Sequence, residues 1–125
     1  MSSKATAPNV NTAAVTNIVL AWIECINPSE LGKDEVYIQY KVDAEKDFQR
    51  FPANGYHSMG KGDKWYLELP LSFRESVEVG LYDNDGISDD FLGSHTYFST
   101  TPQPATFPVS NTNGAEYLLH TNPTP

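Results

Sequence analysis

Three features of the sequence predict an all-β chain folded as an antiparallel two-sheet β-sandwich. Segments of strand length rich in Val, Ile, Tyr, Phe and Trp recur along it, and clusters of Gly, Pro, Asn, Asp and Ser separate them. No window keeps a helical period for ten residues.

The first expected strand, residues 14–26, contains the longest apolar stretch, from Ile18 to Ile26, broken by Glu24. The second, 35–42, alternates, with Val36, Ile38, Tyr40 and Val42 on one side and Glu35, Tyr37, Gln39 and Lys41 on the other. Shorter segments follow at 48–51 and 65–69. Alternation is clearest in 76–82, where Val77, Val79 and Leu81 share one face and Ser76, Glu78 and Gly80 the other. Segments 94–99 and 115–120 complete the set. About seven short strands cannot bury one face as a single flat sheet, so two packed sheets are expected. Val36, Ile38, Val77, Val79, Leu81, Phe91 and Leu92 are the expected core, and Trp22 and Trp65 are expected as core residues of opposing strands. Asn54-Gly55 and Asn113-Gly114 are turn signals inside longer loops.

Residues 1–13 lack periodicity and residues 121–125 end in prolines, so both read as tails around one domain at 14–120. A chain of 125 residues is the size of a single domain. Eight Lys plus Arg against sixteen Asp plus Glu leave a net charge of −8, which excludes nucleic acid as a partner. No apolar run approaches the roughly 20 residues of a membrane-spanning helix. No basic region followed by an apolar run opens the chain, so the cytoplasm is the expected compartment. Cys25, inside an apolar run, reads as a buried structural thiol. His57, His95 and His120 show no ligand spacing, and no serine elbow is present, so catalysis is not expected.

If successive strands run antiparallel, the connections 27–33, 52–64 and 83–93 share one end of the sandwich, and 43–47, 70–75 and 100–114 the other. Glu30, Asp34, Asp63, Asp83, Asp85, Asp89 and Asp90 then converge at the first end, with only Lys33, Lys61 and Lys64 nearby. Such a cluster repels itself unless water separates the charges or a cation bridges them. Asp83 and Asp85 leave their strand with the same parity, and a returning Asp89 or Asp90 adds oxygens suited to calcium. An EF-hand is excluded, because Ile87 and Ser94 stand at the fifth and twelfth positions, the latter being where a bidentate Glu is required. The competing reading is that the acids only solvate a turn.

Leu81-Tyr82-Asp83-Asn84-Asp85, Asp90-Phe91-Leu92-Gly93 and Lys33-Asp34-Glu35-Val36-Tyr37-Ile38 resemble the calcium-dependent phospholipid-binding domain of conventional protein kinase C and the synaptotagmins, the C-two (C2) domain. Asp34-Glu35-Val36-Tyr37 and Leu92-Gly93-Ser94 also resemble compact stand-alone bacterial sandwiches. The resemblance implies a Greek-key sandwich whose loops hold calcium at one end, with ligands at the positions of Asp34, Asp83, Asp85 and Asp90. Asp63, Asp89 and Glu30 are further candidates, Glu30 standing in for an acid shifted from its usual place. Glu35 replaces the family's proline, and its lysine-rich strand is missing, since 35–42 carries Lys41 alone. The function implied is a non-enzymatic, calcium-responsive module that attaches to acidic lipid headgroups or to an acidic protein partner, with Leu31, Met59 and Ile87 as apolar tips. The alternative is a metal-independent interaction or carbohydrate-binding sandwich, with Trp22 and Trp65 as the sugar platform.

Overall fold

The computed structural model describes residues 14–123. They form ten strands: β1 (Thr16–Asn27), β2 (Asp34–Val42), β3 (Gln49–Phe51), β4 (His57–Met59), β5 (Lys64–Trp65), β6 (Leu69–Phe73), β7 (Ser76–Asp83), β8 (Asp90–Phe98), β9 (Thr106–Ser110) and β10 (Glu116–Pro123). One sheet has the order β5-β1-β10-β9, with β6 also on β1. The other has the order β3-β2-β7-β8, with β4 also on β2. Every pairing is antiparallel. No helix among the described residues is long and apolar enough to cross a membrane.

The core lies between the sheets. Leu20, Ile23, Cys25, Tyr117 and Leu119 enter it from the first, and Val36, Ile38, Val77, Val79, Leu81, Leu92 and Tyr97 from the second. β1 spans its sheet by changing parity. Ile18 and Leu20 point inward, a register shift follows between Leu20 and Trp22, and Ile23 and Cys25 then take the inner face. A bulge of this kind inserts one residue and bends the strand. Opposite it the partner breaks in two. β6 pairs with residues 16–20 and β5 with 23–24, while Glu68, at φ 48°, joins them by donating its N–H to the Ala21 carbonyl. The single strand expected at 65–69 is therefore the break between two shorter ones.

Phe91 departs from the expected core. A register shift in the β7–β8 ladder skips Leu92, which is fully buried, and sets Phe91 beside Tyr82 on the outer face, 46% exposed. Adjacent residues of a strand point to opposite faces, so Phe91 and Leu92 cannot both face inward. Gly93 follows at φ +140°, where an added Cβ would lie 2.7 Å from the Ser110 nitrogen. Only a glycine lets the edge strands β8 and β9 approach this closely.

The tryptophans do not oppose one another: β1 carries Trp22 and β5 carries Trp65, in the same sheet, and neither ring is fully buried. β10 continues three residues past the expected boundary at 120, with Thr121 buried opposite Leu20. The expected N-terminal tail, 1–13, and residues 124–125 lie outside the described residues.

Candidate cation site and the fold comparison

β2 begins at Asp34 and β7 ends at Asp83, on neighbouring strands at one end of the sandwich. The 28–33 connection brings Glu30 over them, so that carboxylate oxygens of Glu30, Asp34 and Asp83 lie within 4.8 Å of one another. Asp34 and Asp83 are both 0% exposed. A buried carboxylate needs hydrogen-bond donors or a cation, because burial strongly disfavours its charge.

Asp34 has its donors. Its Oδ2 accepts from the Ser29 N–H at 2.8 Å and the Tyr117 hydroxyl at 2.5 Å, and its Oδ1 accepts from the Ser29 hydroxyl at 2.8 Å. Tyr117 reaches it from β10, across the core. Burial, the bond to Asp34 and the nearby Cys25 thiol all push the Tyr117 hydroxyl far above its ordinary range, so it stays a donor. Asp83 is served on one oxygen only. Its Oδ1 accepts from the Glu35 N–H at 2.7 Å, while its buried Oδ2 has no hydrogen-bond donor among the described residues. Burial and the carboxyl of Glu30 push Asp83 up to about 8, against the Glu35 N–H and with a further contribution from Asp34. Burial and the charges of Glu30, Asp34 and Asp85 also raise Glu35.

The other candidate acids have different settings. Asp63 accepts from the Gly60 N–H at 2.8 Å and pairs with Lys33 at 3.7 Å, closing its own turn. Asp89 accepts from the Tyr37 hydroxyl and, at 3.2 Å, from the Asp85 N–H. Burial and that contact push the Tyr37 hydroxyl up to about 12, while the Arg50 guanidinium lies 3.9 Å over its ring. Asp85 and Asp90 are exposed. The 28–33, 60–63 and 84–89 connections do share one end, joined by the Lys33–Asp63 pair and by the Asn84 N–H on the Glu35 carbonyl. Residues 111–115 join them there, Asn111 donating to the Phe91 carbonyl. The 100–114 connection, expected wholly at the far end, contains β9, and one added strand reverses the parity.

Leu31 and Ile87 are fully exposed. Met59 is not a tip: it is fully buried in β4, opposite Asp34. At the tryptophans, the alternative sugar platform, the rings meet protein partners. Trp22 stacks on His120 at 4.5 Å and carries the Lys64 ammonium at 4.9 Å; Trp65 stacks on His57 at 4.9 Å and on Phe51 at 5.9 Å. Ser29 and Tyr117 escaped the sequence reading. Ser29, close to Asp34 in the chain, was within reach of local turn chemistry; Tyr117 was not, being 83 positions away.

No family model and no curated protein matches the chain. Among solved structures it is similar to a C2 domain of plant extended synaptotagmin 1, at 13% identity and a TM-score of 0.54, covering 89% of this chain and 95% of that one. It is also similar to extended synaptotagmin 2, in a structure of two C2 domains, at 16% identity and a TM-score of 0.59, covering 97% of this chain and 45% of that one. These likenesses, together with two antiparallel sheets and no helix among the described residues, give the chain the fold of a C2-type β-sandwich.

Proposed function

We infer that the chain is a non-catalytic binding module whose acidic end takes one calcium ion through Glu30, Asp34 and Asp83 and then engages an anionic phospholipid headgroup. The observation that carries this reading is the buried Oδ2 of Asp83, which lies near other carboxylates and has no donor among the described residues. Counting lone pairs supports a single ion. Ser29 and Tyr117 occupy Asp34 Oδ2, whereas Asp34 Oδ1, both oxygens of Asp83 and the carboxylate of Glu30 retain capacity. An all-oxygen set without imidazole or thiolate suits a hard cation of flexible coordination. Bound there, calcium supplies positive charge that offsets the carboxylate repulsion and attracts a phosphate. Asp63, Asp85, Asp89 and Asp90 add to the negative potential that draws the cation in. In this reading Leu31, next to Glu30, and Ile87, both fully exposed, enter the apolar edge of a bilayer.

Calorimetry with calcium tests the first half. One saturable site is expected, with a rise in thermal midpoint worth about 2.7 kcal/mol at a hundredfold excess over the dissociation constant. Absence of both up to about 10 mM, beyond the weak range of extracellular calcium modules, would sink the reading. Co-sedimentation with phosphatidylserine vesicles tests the second half. Binding in calcium and release by chelator are expected, and Leu31→Ser/Ile87→Ser is expected to weaken attachment without changing the calcium isotherm. Calcium binding without vesicle attachment would remove the lipid from the proposal.

A further inference from the structure

A groove of about 530 Å³ runs beside the edge of the sandwich, lined by Asp90, Phe91, Ser110, Asn111, Thr112 and Asn113. Its volume is in the range of small-ligand sites. Both walls are held. Asn111 donates to the Phe91 carbonyl at 2.9 Å, while its side-chain oxygen accepts from the N–H groups of Asn113 and Ala115 at 2.9 and 3.0 Å. Beneath them Gly93 pinches β8 against Ser110 and Val109. The groove is therefore a product of the fold, with its own pin.

Its lining is selective by chemistry. Phe91 is tilted at 57° against Tyr82 on one side and 46% exposed, which leaves ring surface facing the groove. The side chains of Asp90, Ser110, Thr112 and Asn113 make no hydrogen bond to other described residues, so a carboxylate, two hydroxyls and an amide keep their capacity. No lysine or arginine lines the groove, which disfavours phosphate and carboxylate ligands. An aromatic face beside closely spaced neutral and acidic hydrogen-bonding groups matches one ligand class, in which one side is C–H and the rim is hydroxyl. We propose that this groove binds a neutral saccharide, one sugar ring lying on Phe91 and its hydroxyls bonding to Asp90, Thr112 and Asn113. The aromatic surface of this groove is the ring that the β7–β8 register shift turns outward. This site shares no residue with Glu30, Asp34 and Asp83, and it does not depend on calcium.

The test is an amide-resolved NMR titration of the full chain in chelator, so that the calcium reading can fail or succeed independently. The probes are glucose, galactose, mannose, N-acetylglucosamine, cellobiose and chitobiose, each to about 50 mM, with inorganic phosphate as a control. At least one sugar is expected to shift the amides of Phe91 and residues 111–113 saturably, and phosphate none of them. Phe91→Ala is expected to weaken that sugar at least about tenfold. Asn113→Ala, on the exposed turn, is expected to weaken it while leaving the rest of the spectrum in place, and it stands if Phe91→Ala does not fold. Absence of saturable shifts with every sugar, shifts confined elsewhere, or unchanged affinity in Asn113→Ala and any folded Phe91→Ala would overturn the proposal. So would phosphate acting on the same amides.

Discussion

Asp34 and Asp83 are chemically identical, equally buried and borne on adjacent strands, and the difference between them is their supply of donors. Asp34 has three and Asp83 one. Replacing Asp83 with Asn keeps the size and, above about pH 8, where the folded parent's carboxyl has lost its proton, removes one charge and relieves the repulsion. At about pH 8.5 in chelator Asp83→Asn is expected to melt no lower than the parent, and in calcium at the same pH to melt lower; curves that fail to cross would contradict the cation reading. Tyr117→Phe works in the opposite direction. It withdraws a donor from a buried carboxylate and is expected to cost about 1–3 kcal/mol in urea titration. Leu81, fully buried between the sheets, is expected to cost about 2–5 kcal/mol when truncated to Ala. The burial of Leu81 and the meeting of Asp34 with Asp83 were legible from alternation and strand parity. The bond from Tyr117 was not, because no local pattern ties residues so far apart on different sheets.

At the level of elements, the ladders that read cleanly from sequence are β2 and β7, where a strict two-residue period runs through Val36, Ile38, Val77, Val79 and Leu81. The strands that did not read are those where proline or brevity masks the pattern. β6 contains Pro70 and β9 contains Pro108; β9 is an edge strand, where a missing donor is tolerated. β4 has three residues and no alternation to detect. Bulges were invisible for another reason: each changes which parity faces inward, and nothing within β1 or β8 announces the change except Gly93. Gly93→Ala is accordingly expected to be far more harmful than a surface glycine change, by at least about 1–3 kcal/mol, since the new methyl meets backbone at 2.7 Å. Gly55→Ala, also at positive φ but facing open space, separates backbone strain from crowding. Equal losses in the two variants would show that the pinch is unimportant.

For the whole molecule, the site and the fold are joined through pH. Asp83 holds its proton to about 8 when folded and releases it near 3.8 when unfolded, so the folded state binds the extra proton between those values. Its contribution is fully present below about pH 4 and is lost as pH rises through 8. Burial lowers His95, which acts oppositely: its contribution is lost as pH falls below the unfolded histidine value. In chelator the thermal midpoint is expected to decline from pH 6.5 to 8.5, and in calcium or in Asp83→Asn that decline is expected to be much reduced. An unchanged decline in Asp83→Asn would assign it to other groups. The stacked rings have an optical consequence. Trp65 belongs to one sheet while its partners Phe51 and His57 belong to the other, whereas Trp22 and His120 share a sheet. With Trp22 replaced by Phe, the remaining indole sits across the seam, and its emission becomes a gauge of sheet separation, free of signal from within either sheet.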